Sequence, residues 1–220
     1  MFAIFCTFVK TSKLPRMNRY ISIFLCAMAL CACSGSGLQT GDLVFVGIPK
    51  TDAPGEYNYV HTAIIEVCGE DVWVVDATLK RGVDRHPLDT FITDYTRHDG
   101  SYPLYKLMRL KDNSGAASYV ENAKAFIGEQ YDLEFAKDNG KHYCTELVYD
   151  SYVDEGRHLF EEYPINFRNP DGSADPYWEY FFGKLGIDIP SDGIGTMPGA
   201  MLESENLEPV EFDLLWRRRE

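Results

Sequence analysis

Cysteine is scarce in the part of this chain that can fold. Of six cysteines, Cys6, Cys26, Cys31 and Cys33 crowd into the first 33 of 220 residues, leaving only Cys68 and Cys144 for the remainder. Two cysteines make no disulfide framework, and a bridge between them would block a candidate nucleophile, so both are read as free thiols. A Gly-rich phosphate loop is missing, as is the nucleophile-elbow serine pattern, which removes two common catalytic signatures. Metal-ligand spacing is missing too: His142 and Cys144 stand two apart without recognisable further ligands, so neither a metal nor a cofactor is expected. The chain has no internal repeat. Positive charge is in short supply, with 21 Lys and Arg against 34 Asp and Glu. That balance argues against nucleic acid or an anionic membrane surface as partner, and the basic run Arg217-Arg218-Arg219 reads as a solvated tail.

A long apolar run is also lacking. Residues 20–30 form an apolar stretch behind Asn18-Arg19 that is too short for a comfortable membrane span. It runs into Leu30-Cys31-Ala32-Cys33, which is similar to a bacterial lipobox, whose last cysteine becomes the lipidated N-terminus; a plain signal peptide or a membrane anchor is the alternative. Met17 stands where such a signal would begin, so residues 1–16 read as an over-extended start. The expectation is a lipoprotein signal over 1–32, lipid attachment at Cys33, a tether over 33–40 containing Ser34-Gly35-Ser36-Gly37, and one domain over 41–220. Cleavage before Cys33 leaves 188 residues, enough for a single hydrophobic core. Four basic residues, Lys10, Lys13, Arg16 and Arg19, would leave with the signal and no acid would, giving a mature net charge of −17. The implied location is the bacterial cell envelope, lipid-anchored, at the periplasmic or outer-membrane face.

What is present begins with strands. Residues 42–48, 60–67 and 72–77 are rich in Val, Ile and Phe, and Cys68-Gly69-Glu70-Asp71 joins the last two as a hairpin. A further strand is expected over 102–110. Helical spacing starts at Ser114, with Ala116, Val120, Ala123 and Ile127 on one face and Gly128 as the stop. Residues 128–132 read as a connector. A second helix opens at Cys144, carries Leu147, Val148, Ser151 and Tyr152 on one face, and is expected to end near Gly156. Over residues 170–198 Pro, Gly and Asp punctuate the aromatic cluster Tyr177, Trp178, Tyr180, Phe181 and Phe182, either core or a lid over a pocket, and Gly193-Ile194-Gly195 reads as a loop.

Chemistry concentrates in an ordered pair: His61 near the start of a β-type run and Cys144 at the start of a helix. Cysteine attacks as the thiolate, a form favoured at a helix N-terminus facing an imidazole. If Val67 faces Val72 across the hairpin, paired positions sum to 139, so Ala63 faces Asp76 and His61 faces Thr78. His61 and Asp76 are then diagonal neighbours on one face, roughly 7–8 Å apart at Cβ or less. A carboxylate there fixes the imidazole tautomer and frees the other ring nitrogen for the Cys144 proton. A single bulge would turn Asp76 away and bring Glu66 or Thr78 into consideration. Taken alone, Cys144 also reads as a small buried residue and His61 as a core histidine. His86, His98 and His158 sit in polar surroundings and read as surface residues.

In this order, Gly41-Asp42-Leu43-Val44-Phe45, His61-Thr62-Ala63-Ile64-Ile65, Val75-Asp76-Ala77, Gly128 followed by Tyr131-Asp132, and Tyr143-Cys144-Thr145-Glu146-Leu147-Val148 resemble the permuted papain-like amidases of the YaeF/YiiX type, within the NlpC-type cysteine peptidase superfamily. Residues 189–198 also look like the family's C-terminal segment. Ordinary members of the superfamily place the cysteine helix before the histidine strand; the permuted ones reverse that order, as here. The resemblance implies an α+β fold, circularly permuted and papain-like, with a small antiparallel sheet or barrel packed against the cysteine helix. It implies Cys144 as nucleophile, His61 as base, Asp76 in the polar third position, and Tyr131 lining the site and helping to hold the oxyanion, or else serving as a packing tyrosine. The envelope location and the family suggest a peptidoglycan stem peptide, or another amide, as substrate. Two other readings stay open: a lipid or thioester acyl hydrolase or acyltransferase on the same site, and a tethered binding module without catalysis.

Overall fold

The computed structural model describes residues 37–218 except 51–52, 166, 170 and 191–192; the expected signal and the first half of the tether, Cys33 included, lie outside the described residues. The main sheet has six antiparallel strands. They are β1 (Leu43–Pro49), β2 (Tyr57–Cys68), β3 (Asp71–Thr78), β4 (Gly82–Pro87), β5 (Leu104–Leu110) and β12 (Leu207–Pro209), in spatial order β12-β5-β1-β2-β3-β4. The sheet is open, with β12 and β4 at its edges. Leu43, Val44, Phe45 and Val46 of β1 are all buried, which is why this strand is apolar throughout rather than alternating.

Helices cover both faces. On one, Leu43, Phe45, Ile64 and Val75 pack with Tyr119, Val120 and Ala123 of α2 (Ala116–Ala125) and with Leu147 and Val148 of α3 (Cys144–Ser151). On the other, Val44, Val46, Ala63, Ile65 and Val74 pack with Leu88, Phe91 and Ile92 of α1 (Leu88–Tyr95). Each such fully buried side chain contributes roughly 1.5–3 kcal/mol. A third cluster joins Phe135, Tyr143, Ile165, Phe167 and Phe182, the last from α4 (Pro176–Leu185).

The β2–β3 hairpin has the register argued from the turn, with Val67 opposite Val72 and Ile64 opposite Val75. The chain differs from the sequence reading in several places. β5 begins at Leu104 rather than 102. α2 ends at Ala125, where the Phe126 amide reaches back to Ala123 in a tightened last turn. α3 stops at Ser151 rather than near Gly156, because Glu155 and Gly156, both at positive φ, close a two-residue turn between β8 (Val153–Asp154) and β9 (Arg157–His158). The connector holds a short strand, β6 (Gln130–Tyr131), pairing in parallel with β7 (Lys141–His142). Gly193–Gly195 is a strand, β11, paired with β10 (Tyr163–Ile165). The aromatic cluster is the helix α4: Asp175 caps it by accepting from the Tyr177 amide at 2.8 Å, Pro176 opens it, and Gly186 at φ 68 closes it. A last short helix, α5 (Pro198–Leu202), lies against β2. Among the described residues no helix is long and apolar enough to cross a membrane.

Candidate active site

The site is assembled where one end of the sheet meets the start of α3. Asp76 is fully buried on β3, and its Oδ2 lies 2.9 Å from Nε2 of His61 on β2. A β-bulge sits beside the histidine: β1 pairs Val46 with His61 but Gly47 with Tyr59, leaving Val60 as the extra residue. The β2–β3 ladder keeps the expected register as far as Ile64 opposite Val75, and the contact with His61 shows that Asp76 keeps its face. The two alternative partners are engaged elsewhere. Glu66 binds Arg85 at 2.5 Å and Lys124 at 3.0 Å, and the Thr78 hydroxyl accepts from the Arg81 amide at 3.2 Å.

With Nε2 on Asp76, the other ring nitrogen of His61 is left for the sulfur. The Cys144 side chain is a hydrogen-bond partner and a charge partner of the ring. Burial alone would lower the His61 pKa; the Cys144 sulfur and the Asp76 carboxylate overcome it and raise the value from 6.5 to about 9. The ring is held laterally by Tyr95 and Phe91 of α1, with centroids 5.1 and 6.1 Å away. Neither aromatic stood out in the sequence, since Phe91 and Tyr95 lie four apart in a helix whose apolar face is short.

Cys144 itself is clamped by its neighbours. The Thr145 hydroxyl donates to the Thr196 carbonyl at 2.9 Å, and the Tyr143 hydroxyl accepts from the Thr196 amide at 3.1 Å. Gly195 is required there, because a Cβ would strike the Tyr143 hydroxyl. Asp132 is fully buried and accepts from the amides of Glu134 and Ala136 at 2.8 and 2.7 Å, shaping the turn that delivers Phe135 to the third cluster. Beside His61 opens a cleft of about 500 Å³, walled by Tyr95, Tyr131, Tyr177 and Phe181, with Lys80, Arg81 and Asp94 at its polar end. Cys144 does not line this cleft; it acts electrostatically on three residues of its wall, Tyr95, Tyr131 and Tyr177. Burial keeps Tyr131 protonated far above the ordinary tyrosine range, and the charge on Cys144 adds to the effect.

The remaining histidines and cysteine separate clearly. Cys68 is exposed and unbridged. His98 and His158 are exposed. His86, read from its polar neighbours as a surface residue, is 5 % exposed: β4 adds a strand outside β3 and carries it inward, an edge that local pattern did not reveal. Among the described residues, no three His, Cys, Asp or Glu side chains are grouped to hold a metal. His142 has Glu129 on Nδ1 at 2.7 Å and Asp150 on Nε2 at 3.2 Å, on opposite sides of its ring, so the three do not converge on one point.

An antiparallel sheet backed by a helix that starts in cysteine, with the histidine strand preceding the cysteine helix in the chain, defines a permuted papain-like fold. The family of permuted papain-like amidase enzymes, YaeF/YiiX, C92, matches residues 37–211, and the chain belongs to it. The fold is also that of a crystal structure described as the metalloprotein yiiX from Escherichia coli O157:H7, with TM-score 0.59, 22 % identity, and coverage of 80 % of this chain and 97 % of that one. Among curated proteins none matches the chain in sequence. Family membership makes the protein a papain-like cysteine peptidase or amidase.

Proposed function

We propose that the protein cleaves an amide bond through an acyl-enzyme on Cys144, with His61 as base and Asp76 as the group that orients it. The single observation that carries this is the line of contacts from buried Asp76 through His61 to Cys144 at the start of α3. The sulfur, favoured as thiolate by the imidazolium and by the free amides of the first helical turn, attacks the carbonyl carbon. The resulting oxyanion takes hydrogen bonds from the Cys144 amide and the Tyr131 hydroxyl, which burial keeps as a donor. His61 then gives its proton to the leaving amine, the C–N bond breaks, and a water deprotonated by His61 releases the acid. The aromatic cleft and the lipobox-like leader favour a peptide amide of the cell wall, reached from a lipid anchor at Cys33 on the envelope.

The test is intact-mass spectrometry of the domain from Ser34 after brief iodoacetamide exposure between pH 5 and 9, with Cys144→Ala, His61→Ala and Asp76→Asn alongside. Fast labelling confined to Cys144, persisting in acid and lost in His61→Ala, is the expected result. Slow labelling insensitive to His61 would overturn the reading. The apolar wall from Tyr177 and Phe181 favours a second reading, an acyl ester or thioester as donor to the same sulfur, supported if such esters turn over and peptides do not.

A further inference from the structure

Asp76 is flanked by two histidines rather than one. On β2, His61 takes Oδ2; on β4, His86 occupies the corresponding diagonal position, since Asp76 pairs with Asp84 and Val74 with His86. The Oδ1 atom of Asp76 and the Nδ1 atom of His86 face each other at 3.8 Å, and both are buried without a hydrogen-bond partner among the described residues. That gap is too long for a hydrogen bond. The proton on His86 is located by its other nitrogen. Arg81 lies 3.3 Å from Nε2, and a guanidinium only donates, so Nε2 accepts and the hydrogen sits on Nδ1, facing Asp76. Asp84 is also 3.8 Å from Nδ1, but its side chain is 37 % exposed and has water available, whereas Asp76 is fully buried. Burial, with Arg81 nearby, holds the His86 pKa below its ordinary value, against the opposing pull of Asp76, Asp84 and Asp94.

We propose that His86 is a positioning residue: a neutral imidazole, its tautomer set by Arg81, that donates Nδ1–H to the second oxygen of Asp76 and so holds the carboxylate against His61. A shift of about 1 Å in the His86 ring closes the bond. The sequence Arg81, His86, Asp76, His61, Cys144 then forms one chain of donors and acceptors leading from the polar end of the cleft to the nucleophile. Arg81 also binds Asp94 at 2.6 Å in the cleft wall, so a group docking there is coupled to the orientation of His61. This rests on the proposed roles of Cys144 and His61.

The test uses the pH profile of Cys144 alkylation by iodoacetamide in the whole domain. His86→Leu is expected to move the acid limb up by about one pH unit, near tenfold slower labelling at a fixed acidic pH. His86→Gln, whose amide both donates and accepts, is expected to restore the limb. In the Asp76→Asn background His86→Leu is expected to add nothing, because the residue acts through Asp76. If His86→Leu does not fold by circular dichroism, Arg81→Met carries the test, with a shift in the same direction. A wild-type limb in the folded His86→Leu or in Arg81→Met, or an equal effect in the Asp76→Asn background, overturns the proposal while leaving the role of Cys144 intact. Wild-type labelling that is slow and indifferent to His61→Ala overturns both.

Discussion

At the scale of single residues, His61 shows how three weak signals become one strong one. Alone it is a histidine in a strand; beside a fully buried Asp76 and the Cys144 sulfur it is a cation held to about pH 9. The sign follows from the raised value. Both folded and unfolded chains hold the proton below about 6.5, where the stabilisation is complete, and the folded chain alone holds it up to about 9, so the stabilisation is lost as pH rises through that range. Because the sulfur is the largest of the raising causes, Cys144→Ala is expected to bring the His61 titration down by at least about one pH unit, read from its imidazole proton resonances. An unmoved titration would mean that the ring does not sense Cys144. The pair His61 and Asp76 was legible from the hairpin register, since period-two geometry needs only the turn. His86 was not, because its burial depends on β4 being a partner of β3, and β4 has no alternating pattern of its own.

At the scale of elements, α3 carries an unusual cap. The Tyr143 amide donates to the Glu146 carboxyl at 3.3 Å, and burial pushes the Glu146 pKa up from 4.5 to about 8. The linkage has the same sign as for His61: the unfolded chain releases this proton near 4.5 and the folded chain holds it to about 8, so the group costs stability increasingly as pH rises between the two. Glu146→Gln keeps an acceptor for the cap and removes the ionisation. It is expected to raise the stability by about 1–3 kcal/mol at pH 9 and to change it little at pH 5. Thermal melts at the two pH values check this, and an equal effect at both would show that burial of charge is not the cause. The helix start at Cys144 was readable from its apolar spacing, and its early end was not, because Tyr152 is drawn out of the helix into the core. Its hydroxyl donates to the Gly41 carbonyl at 2.9 Å and its ring stacks on Tyr119. In α4 the cap, the proline and the closing glycine were all in the sequence. Pro and Gly mark helix ends as well as loops, and the same residues supported either reading.

At the scale of the whole domain, the sheet is locked by contacts far apart in the chain. Arg109 of β5 grips Asp42 with two donors, at 2.6 and 2.8 Å, and Asp42 is fully buried at the start of β1. Arg109→Met would leave that carboxylate buried without its counter-charge, held among the described residues only by the Gln39 amide, and is expected to cost about 3–5 kcal/mol by urea denaturation. Adding Asp42→Asn is expected to recover a substantial part of the loss, since the penalty lies in the uncompensated charge. A loss under 1 kcal/mol in the single variant would mean the pair is dispensable. By itself the amino-acid sequence determined the strand and helix types of the central elements, the hairpin register that aligns His61 with Asp76, and the order of histidine strand before cysteine helix that marks the permuted family. Those are local quantities, set by side-chain period and turn length. Only the tertiary structure decided that α3 meets the end of β2, that β4 brings His86 behind Asp76, and that α4 walls the cleft, because each depends on burial shared between segments tens of residues apart.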